Sequence, residues 1–231
     1  MFQKLRYLKY YTKKLFRNWF TVEKSYSQHG EDLLIRSIIP DGVSSFIDIG
    51  ANDGVLFSNS YKFAKSGAHG LCIEPSGSTF FKLRLNHLFH YKVKCLKGAV
   101  SKNNGMLHLI DKGYESTLSS VSFKKSKYSK KIKSFTFDEI LKKFPFFTNI
   151  DLLSVDVEGH EKEVFEGLTN SKFYVKAIIL ETDKHDINNL LLMPALSDYR
   201  SIYTNGLNTI LIHKSEKLNE PEKLPKGFIS Y

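Results

Sequence analysis

No apolar run in the sequence is long enough to cross a bilayer, and the first residues lack the uninterrupted apolar core of a secretory leader. The chain therefore reads as one made and kept in the cytosol. Cysteine is scarce: Cys72 and Cys95 stand alone, each inside an apolar strand-like run. Two such thiols make neither a disulfide framework nor a metal-ligand pair, and core thiols in a reducing compartment are expected. Histidine is no richer in pattern, since His69, His87, His90, His108, His185 and His213 show no clustered ligand spacing. Also missing is the Gly-x-Gly-x-x-Gly turn that seats a pyrophosphate on a helix, which disfavours an NAD-linked oxidoreductase. What is present, 231 residues at 42% hydrophobic content, suffices for the core of one ordinary domain.

Charge is abundant but unevenly placed. Of a net +10, residues 1–24 hold seven Lys or Arg against Glu23, and residues 124–133 hold six Lys against no acid. The remainder is close to neutral, whereas a nucleic-acid enzyme would spread basic residues around its cleft, so no nucleic-acid partner is expected. Residues 1–24 interleave Phe2, Leu5, Leu8, Leu15, Phe16, Trp19 and Phe20 with Lys4, Lys9, Lys13, Lys14 and Arg17, the pattern of a basic amphipathic helix. Such a helix either lies on an anionic membrane surface, peripherally on the inner face, or packs on the domain or on a second copy; the sequence leaves these open. The lysine run from Lys124 to Lys133 reads as a mobile solvated loop able to steer an anionic substrate.

From residue 25 to 231 the pattern alternates. A capped helix is expected from Ser27 to Ile39 and a strand at 46–49, then a helix at 55–66, a strand at 69–74, a helix at 77–90 and a strand at 92–97. A short strand follows at Gly105 to Asp111, and the polar stretch 112–134 is read as a loop or lid. Next come a helix from Phe137 to Phe144, a buried strand from Ile150 to Val157, a helix at 160–168 and a buried strand from Ala177 to Glu181. Tyr199–Tyr203 and Leu207–His213, joined at Asn205-Gly206, predict an antiparallel hairpin. The result is an α/β chain with a mostly parallel sheet, helices on both faces and a C-terminal antiparallel hairpin.

One stretch carries chemistry. Phe46-Ile47-Asp48-Ile49 enters Gly50-Ala51-Asn52-Asp53-Gly54, a strand feeding a glycine turn, and Ile73-Glu74-Pro75 ends the next strand. Backbone N–H groups at Gly50, Ala51, Asn52 and Gly54 can approach a ligand, small residues leave room for a nucleoside, and a carboxylate at Glu74 can accept both ribose hydroxyls. Without the pyrophosphate pattern, S-adenosylmethionine suits this loop better than NAD. Asp48 is expected to orient the loop or meet the amino group of the methionine portion, and Asp53 to face solvent. Ser58 and Asn59 can donate to the cofactor carboxylate, or serve only as ordinary helix-start residues.

Tyr26-Ser27-Gln28-His29-Gly30-Glu31-Asp32, Phe46 to Ala51, Ser58-Asn59, Ile73-Glu74-Pro75, Ala99-Val100-Ser101 and Leu153 to Glu161 occur in the order and spacing of one family. Over about residues 25–212 the chain resembles the FkbM family of S-adenosylmethionine-dependent methyltransferases. The resemblance implies the Rossmann-like class I methyltransferase fold, S-adenosylmethionine as cofactor, and O-methylation, commonly of sugars in surface glycans. It adds Gln28, Pro75, Ala99 and Val100 to the cofactor-binding set and has Glu31 and Asp32 closing over the cofactor from the preceding helix.

Transfer to an alcohol needs a base, because a neutral hydroxyl is a poor nucleophile. Asp156, Glu158 and His160 follow the fourth strand and Glu181 ends the fifth, beside the expected pocket. Asp156 is the first candidate for base or substrate contact, Glu158 and His160 come next, and Glu181 is a partner across the pocket. Glu161 reads as a helix-start acid meeting the dipole. Oxygen ligands at Asp156, Glu158 and Glu181 would suit Mg, but no metal is expected. Expected partners are a glycan or other hydroxyl-bearing acceptor, with a homo-oligomer left open. The competing reading is a non-catalytic binding module of a glycan-assembly complex. RNA methylation is disfavoured, since no Asn-Pro-Pro-Tyr type motif is present.

Overall fold

The computed structural model describes residues 12–110, 120–122, 129–169 and 172–231. Helix α1 spans 12–20, and α2 (Glu31–Ile38) precedes β1 (Ser45–Ile49), α3 (Tyr61–Lys65), β2 (His69–Glu74), α4 (Gly77–Asn86) and β3 (Val93–Lys97). Strands β4 (Ala99–Val100), β5 (Gly105–Ile110), β6 (Ser120–Ser122) and β7 (Ser129–Phe135) follow, then α5 (Phe137–Lys143), β8 (Asn149–Val155), α6 (Glu161–Glu166) and β9 (Tyr174–Glu181). The chain closes with α7 (Ile187–Leu191), β10 (Tyr199–Thr204), β11 (Asn208–His213) and β12 (Ile229–Ser230).

The main sheet has the order β12-β10-β11-β9-β8-β1-β2-β3. Pairs from β9 through β3 are parallel, and the β10–β11 hairpin enters antiparallel with β11 inserted against β9. Both faces are covered, which is why β1, β8 and β9 read as near-continuous apolar runs. On one face Ile47, Ile49, Leu71, Ile73, Leu153, Val155, Ile178 and Leu180 pack with Phe137, Ile140 and Phe165 of α5 and α6. On the other, Phe46, Cys72, Leu152, Ala177 and Ile179 pack with Leu34, Ile35 and Ile38 of α2, Phe63 of α3 and Leu83 of α4. Strand order reverses at β1, with β2 on one side and β8 on the other, and the carboxyl ends of this pair form the switch point where such sheets bind ligands.

Several expectations need correction. The helix read from Ser27 begins at Glu31 instead, because Ser27 Oγ accepts from Gly30 N and Asp32 N and so holds 27–30 as a turn. The helix read at 55–66 is confined to α3: Asp53 Oδ1 accepts from Val55 N and Leu56 N, and Ser58 Oγ from Ser60 N and Tyr61 N. Such local side-chain bonds compete with helix formation. The stretch 112–134 is not simply a loop, since β6 and β7 join β4 and β5 in a second sheet of order β4-β7-β5-β6. Lys130, Lys131 and Lys133 of the lysine run lie on β7, while its first part at 124–128 lies outside the described residues. Both α7 and β12 escaped the sequence reading.

The N-terminal helix was read over 1–24, of which 1–11 lie outside the described residues. Its 12–20 portion packs on the domain. Leu15 is buried, Trp19 Nε1 donates to the Leu85 carbonyl at 3.0 Å, Lys65 Nζ donates to the Asn18 carbonyl at 2.8 Å, and Trp19 meets Phe89 edge-on at 4.9 Å.

Asp151 fastens the start of β1 to β8. Its Oδ2 accepts from Ser44 N (2.8 Å) and Ser45 N (3.0 Å), and Lys176 Nζ lies 2.9 Å from Oδ1. Burial works against its charge, but hydrogen bonds from Ser44 and Lys176 outweigh that cost and hold the carboxyl below its ordinary value. A carboxyl depressed in the folded state contributes stability above its unfolded value of about 3.9 and loses it as pH falls through the folded one. Urea titrations should therefore show midpoints falling below pH about 4, with a shallower acid dependence in Asp151→Asn, which should also be destabilised at pH 7.

Candidate active site

The loop after β1 is shaped by one close approach. Gly50 N and Ala51 N both donate to the Ile73 carbonyl, at 3.0 and 3.1 Å, while Asp156 N donates to the Ile49 carbonyl at 3.0 Å. Gly50 has φ +88°, and a Cβ there would lie 1.7 Å from the carbonyl oxygen of Asp156. Only glycine lets this turn lie against the end of β8. Glu74 then ties the two neighbouring turns together: Asn52 N donates to Oε2 at 3.1 Å and Ser76 N to Oε1 at 2.7 Å. A carboxylate has about four lone-pair sites, the acceptor pattern that a ribose diol needs, and Glu74 lines the cleft. Gly54, expected in the cofactor set, does not line the cleft; the space of its missing side chain is taken by Leu83 and His87, so it seats the loop on α4.

A second wall is built by 56–59. Among the described residues, the non-glycine residues with positive φ are Asn52, Phe57 and Glu158, and all three line the cleft. Such conformations cost of order 1–3 kcal/mol each and persist only where surroundings over-determine them. At Phe57 the surroundings include a parallel bridge to Ser27. Ser27 is itself held by Asp32, whose carboxylate accepts from Ser25 Oγ, Tyr26 N and Ser27 Oγ. Buried Glu31 accepts from His29 N and from the side-chain amides of Asn205 and Asn208. Glu31 and Asp32 thus do not close over a cofactor but brace the 25–30 turn that presents Gln28 to the cleft. Asp53, expected to face solvent, is buried and caps the following turn.

Deeper in, Ser60 Oγ donates to Asp48 Oδ2 at 2.5 Å, and Asn59 Nδ2 donates to Ser154 Oγ at 3.1 Å. Burial pushes Asp48 up to about 6, with hydrogen bonds from Ser60 and Ser154 pulling the other way. Ser58 and Asn59 therefore serve α3 and the strand ends while still lining the cleft.

The acids at the ends of β8 and β9 come together. Carboxylate oxygens of Asp156, Glu158 and Glu181 lie within 4.8 Å of one another. Lys184 Nζ sits on this group, 2.7 Å from Glu158 and 3.5 Å from Glu181, and Glu158 N donates to Glu181 Oε2 at 3.1 Å. Asp156 is exposed on the cleft, where the surrounding walls reduce its hydration; this desolvation, then repulsion from Glu158, Glu161 and Asp48, raises its carboxyl to about 7. Desolvation and the Asp156 charge likewise raise Glu181. Glu161, fully buried, does more than meet a helix dipole: its Oε1 accepts from Val157 N and Gly159 N and its Oε2 is 2.7 Å from His185 Nε2, which fixes the turn carrying Glu158. His160 is engaged on both nitrogens, with Ser101 Oγ at 3.0 Å and Glu163 at 3.5 Å. Burial lowers its basicity, opposed by Glu163 and Glu161.

One cleft is lined by Gln28, Asp48, Gly50, Ala51, Asn52, Ser58, Asn59, Glu74, Pro75, Ala99 and Val100, and also by Asp156, Glu158, His160 and Glu181. Sequence reasoning missed Leu56, Phe57, Ser154 and Asn208, which line it too. Asn208 follows the Asn205-Gly206 turn and was within reach of a register argument; Leu56 and Phe57 were hidden inside a helix that does not form.

The profile described as the methyltransferase FkbM domain matches residues 48–200, and the chain belongs to that family. No curated protein is similar enough in sequence to match. Among solved structures, a methyltransferase FkbM from Methylobacillus flagellatus KT aligns with TM-score 0.50 and 13% identity over 74% of this chain and 44% of that one. The chain thus spans less than half the length of that relative, and the likeness concerns the fold. M. capricolum TrmK, in complex with S-adenosyl-homocysteine, aligns at TM-score 0.48 and 12% identity over 84% of this chain and 71% of that one. A methyltransferase from Geobacter sulfurreducens aligns at 0.46 and 12% over 89% and 87%.

S-adenosylmethionine is the cofactor of this methyltransferase class, and the cleft fits it. Among the described residues, no Lys or Arg lines the cleft, while Asp48, Glu74, Asp156, Glu158 and Glu181 do. Such a wall repels a pyrophosphate and favours a sulfonium and an ammonium group. In calorimetric titration, Glu74→Ala should weaken S-adenosylmethionine binding at least about tenfold, the loss of a charged hydrogen-bond pair, with NAD showing no binding to either protein.

Proposed function

We propose that this methyltransferase acts on oxygen, taking its methyl group from S-adenosylmethionine to a hydroxyl of a sugar in a cell-surface glycan or its precursor. The observation that carries the reading is the place of Asp156: a carboxyl at the end of β8, on the same cleft wall as the glycine turn and within 4.8 Å of the Glu158 and Glu181 carboxylates, with its proton affinity raised by desolvation and these neighbours. When bound, S-adenosylmethionine supplies a methyl group already activated by its sulfonium. The protein must then orient the acceptor and take its proton.

Asp156 is suited to the proton. A base works best when its pKa lies near the operating pH, and desolvation with neighbouring negative charge brings an ordinary carboxylate there. Glu181, whose carboxyl is raised by desolvation and by the Asp156, Glu161 and Glu158 charges, lines the same cleft and is placed to hydrogen-bond an acceptor hydroxyl. Lys184 offsets the charge of Glu158. His160 is committed to Ser101 and Glu163, so it holds the β4 end against α6 and leaves the proton to Asp156. Leu56 and Phe57, exposed on the cleft wall, offer the apolar surface that covers the C–H face of a sugar ring beside groups that bond its hydroxyls.

Asp156→Asn should lower kcat by about 10²–10⁴ toward a hydroxyl acceptor, a far larger effect than its loss of one charge from the acidic wall has on S-adenosylmethionine affinity. Because the base must be ionised, wild-type kcat should rise with pH through about 7. That limb should vanish in Asp156→Asn. A folded protein that binds S-adenosylmethionine but methylates no glycan acceptor in a sugar panel would favour the binding-module reading.

A further inference from the structure

The outward side of α1 carries a pattern that the cleft does not use. At 100° per residue, Leu15, Asn18 and Trp19 fall on the side that packs on the domain, and Phe16, Phe20, Lys13 and Arg17 fall together opposite. Phe16 and Phe20 are 63% and 67% exposed, with ring centroids 5.1 Å apart. The surface continues onto the turn after α4: Phe89, 60% exposed, lies 6.4 Å from Phe20, and Leu88 and Tyr91 beside it are exposed. Contiguous apolar surface of this kind marks an interaction site.

Charge decides which partner it fits. Residues 12–20 hold Lys13, Lys14 and Arg17, and residues 80–94 hold Lys82, Arg84, Lys92 and Lys94, with no acid in either segment. Glu23, paired with Arg17 at 2.5 Å, is the acid beside them. A second copy would bring like charges face to face, whereas an anionic bilayer offers phosphates to the cations and an acyl boundary to the rings. We propose that this face is a peripheral membrane-binding surface, with Phe16, Phe20 and Phe89 entering the interfacial region of an anionic leaflet and the flanking Lys and Arg meeting its headgroups. The proposal stands apart from the cleft and from the acceptor assigned above.

The full chain is sedimented with sucrose-loaded vesicles of phosphatidylcholine and of a phosphatidylcholine–phosphatidylglycerol mixture. Binding is expected to the anionic vesicles alone, weakened by salt, and reduced about tenfold or more in Phe16→Ser/Phe20→Ser. Both phenylalanines are exposed, so thermal midpoint and S-adenosylmethionine affinity should be unchanged in the variant. Trp19, the sole tryptophan, should be quenched by lipids brominated on their acyl chains, which reads depth directly. Absence of sedimentation would overturn the proposal, as would equal binding by the variant. A concentration-dependent dimer that the double substitution abolishes, without vesicle binding, would assign the face to a second copy instead.

Discussion

The site depends on the contact between the turn after β1 and the end of β8. A carbonyl at Asp156 occupies the space where any side chain at position 50 would begin. Because Gly50 yields that space, the cofactor-side turn and the acid-bearing turn share one wall, and Asp156 is delivered beside the loop instead of a strand spacing away. Hydrogen bonds on both sides lock the approach: Gly50 and Ala51 onto Ile73, and Asp156 onto Ile49. Glu74 extends the lock to the end of β2 through Asn52 and Ser76. Three strand ends are thus held as one body, and the energy comes from the buried β8, β1 and β2 runs beneath them.

Concentrating acids at that edge opposes folding, and the surroundings show how the cost is offset. Glu161 is satisfied by two backbone N–H groups and His185, and Lys184 bridges Glu158 and Glu181. Among the described residues, Asp156 has only the more distant charge of Lys184 to offset its neighbours, and its proton affinity is raised. Desolvation by the cleft walls, with the repulsion of Glu158, Glu161 and Asp48 added to it, raises the proton affinity of Asp156, so the strain of crowding acids at this edge is relieved by protonation. The left-handed backbone at Glu158 belongs to the turn that follows β8, while the register of β8 on β9, Val155 opposite Leu180, sets Asp156 beside Glu181.

Most of the architecture was legible because parallel strands buried on both faces leave apolar runs with abrupt ends, and β1, β2, β8 and β9 all fall where those runs stand. The helices near the cleft were less legible. Ser27 and Ser58 read as helix-start residues, yet their hydroxyls hold turns that delay α2 and α3. A hydroxyl capable of capping does not reveal which of two competing local structures it favours; contact with Phe57 decides at Ser27, and the Asp53 cap decides before α3. The acidic rim could be placed from strand ends alone. The role of Glu31 could not, since its partners include Asn205 and Asn208, which only the folding of the β10–β11 hairpin brings within reach.

That bracing has a consequence for how the two ends of the chain meet the cleft. Glu31 connects the turn carrying Gln28 to the β10–β11 hairpin, and the Ser27–Phe57 bridge connects it to the wall carrying Leu56 and Phe57. The segment just before that turn leads back to α1, which is fastened to α3 and α4 through Asn18, Trp19 and Leu85. Gln28 is therefore suspended between two anchored regions by short polar links, while the wall opposite is held by buried strands. These links are made by carboxylates that are themselves fully buried, Glu31 and Asp32, so each bond forms where water cannot replace it. Losing any one of them would strand a buried carboxylate, which ties the placing of Gln28 and of the Phe57 wall to the folding of the β10–β11 hairpin and of α2.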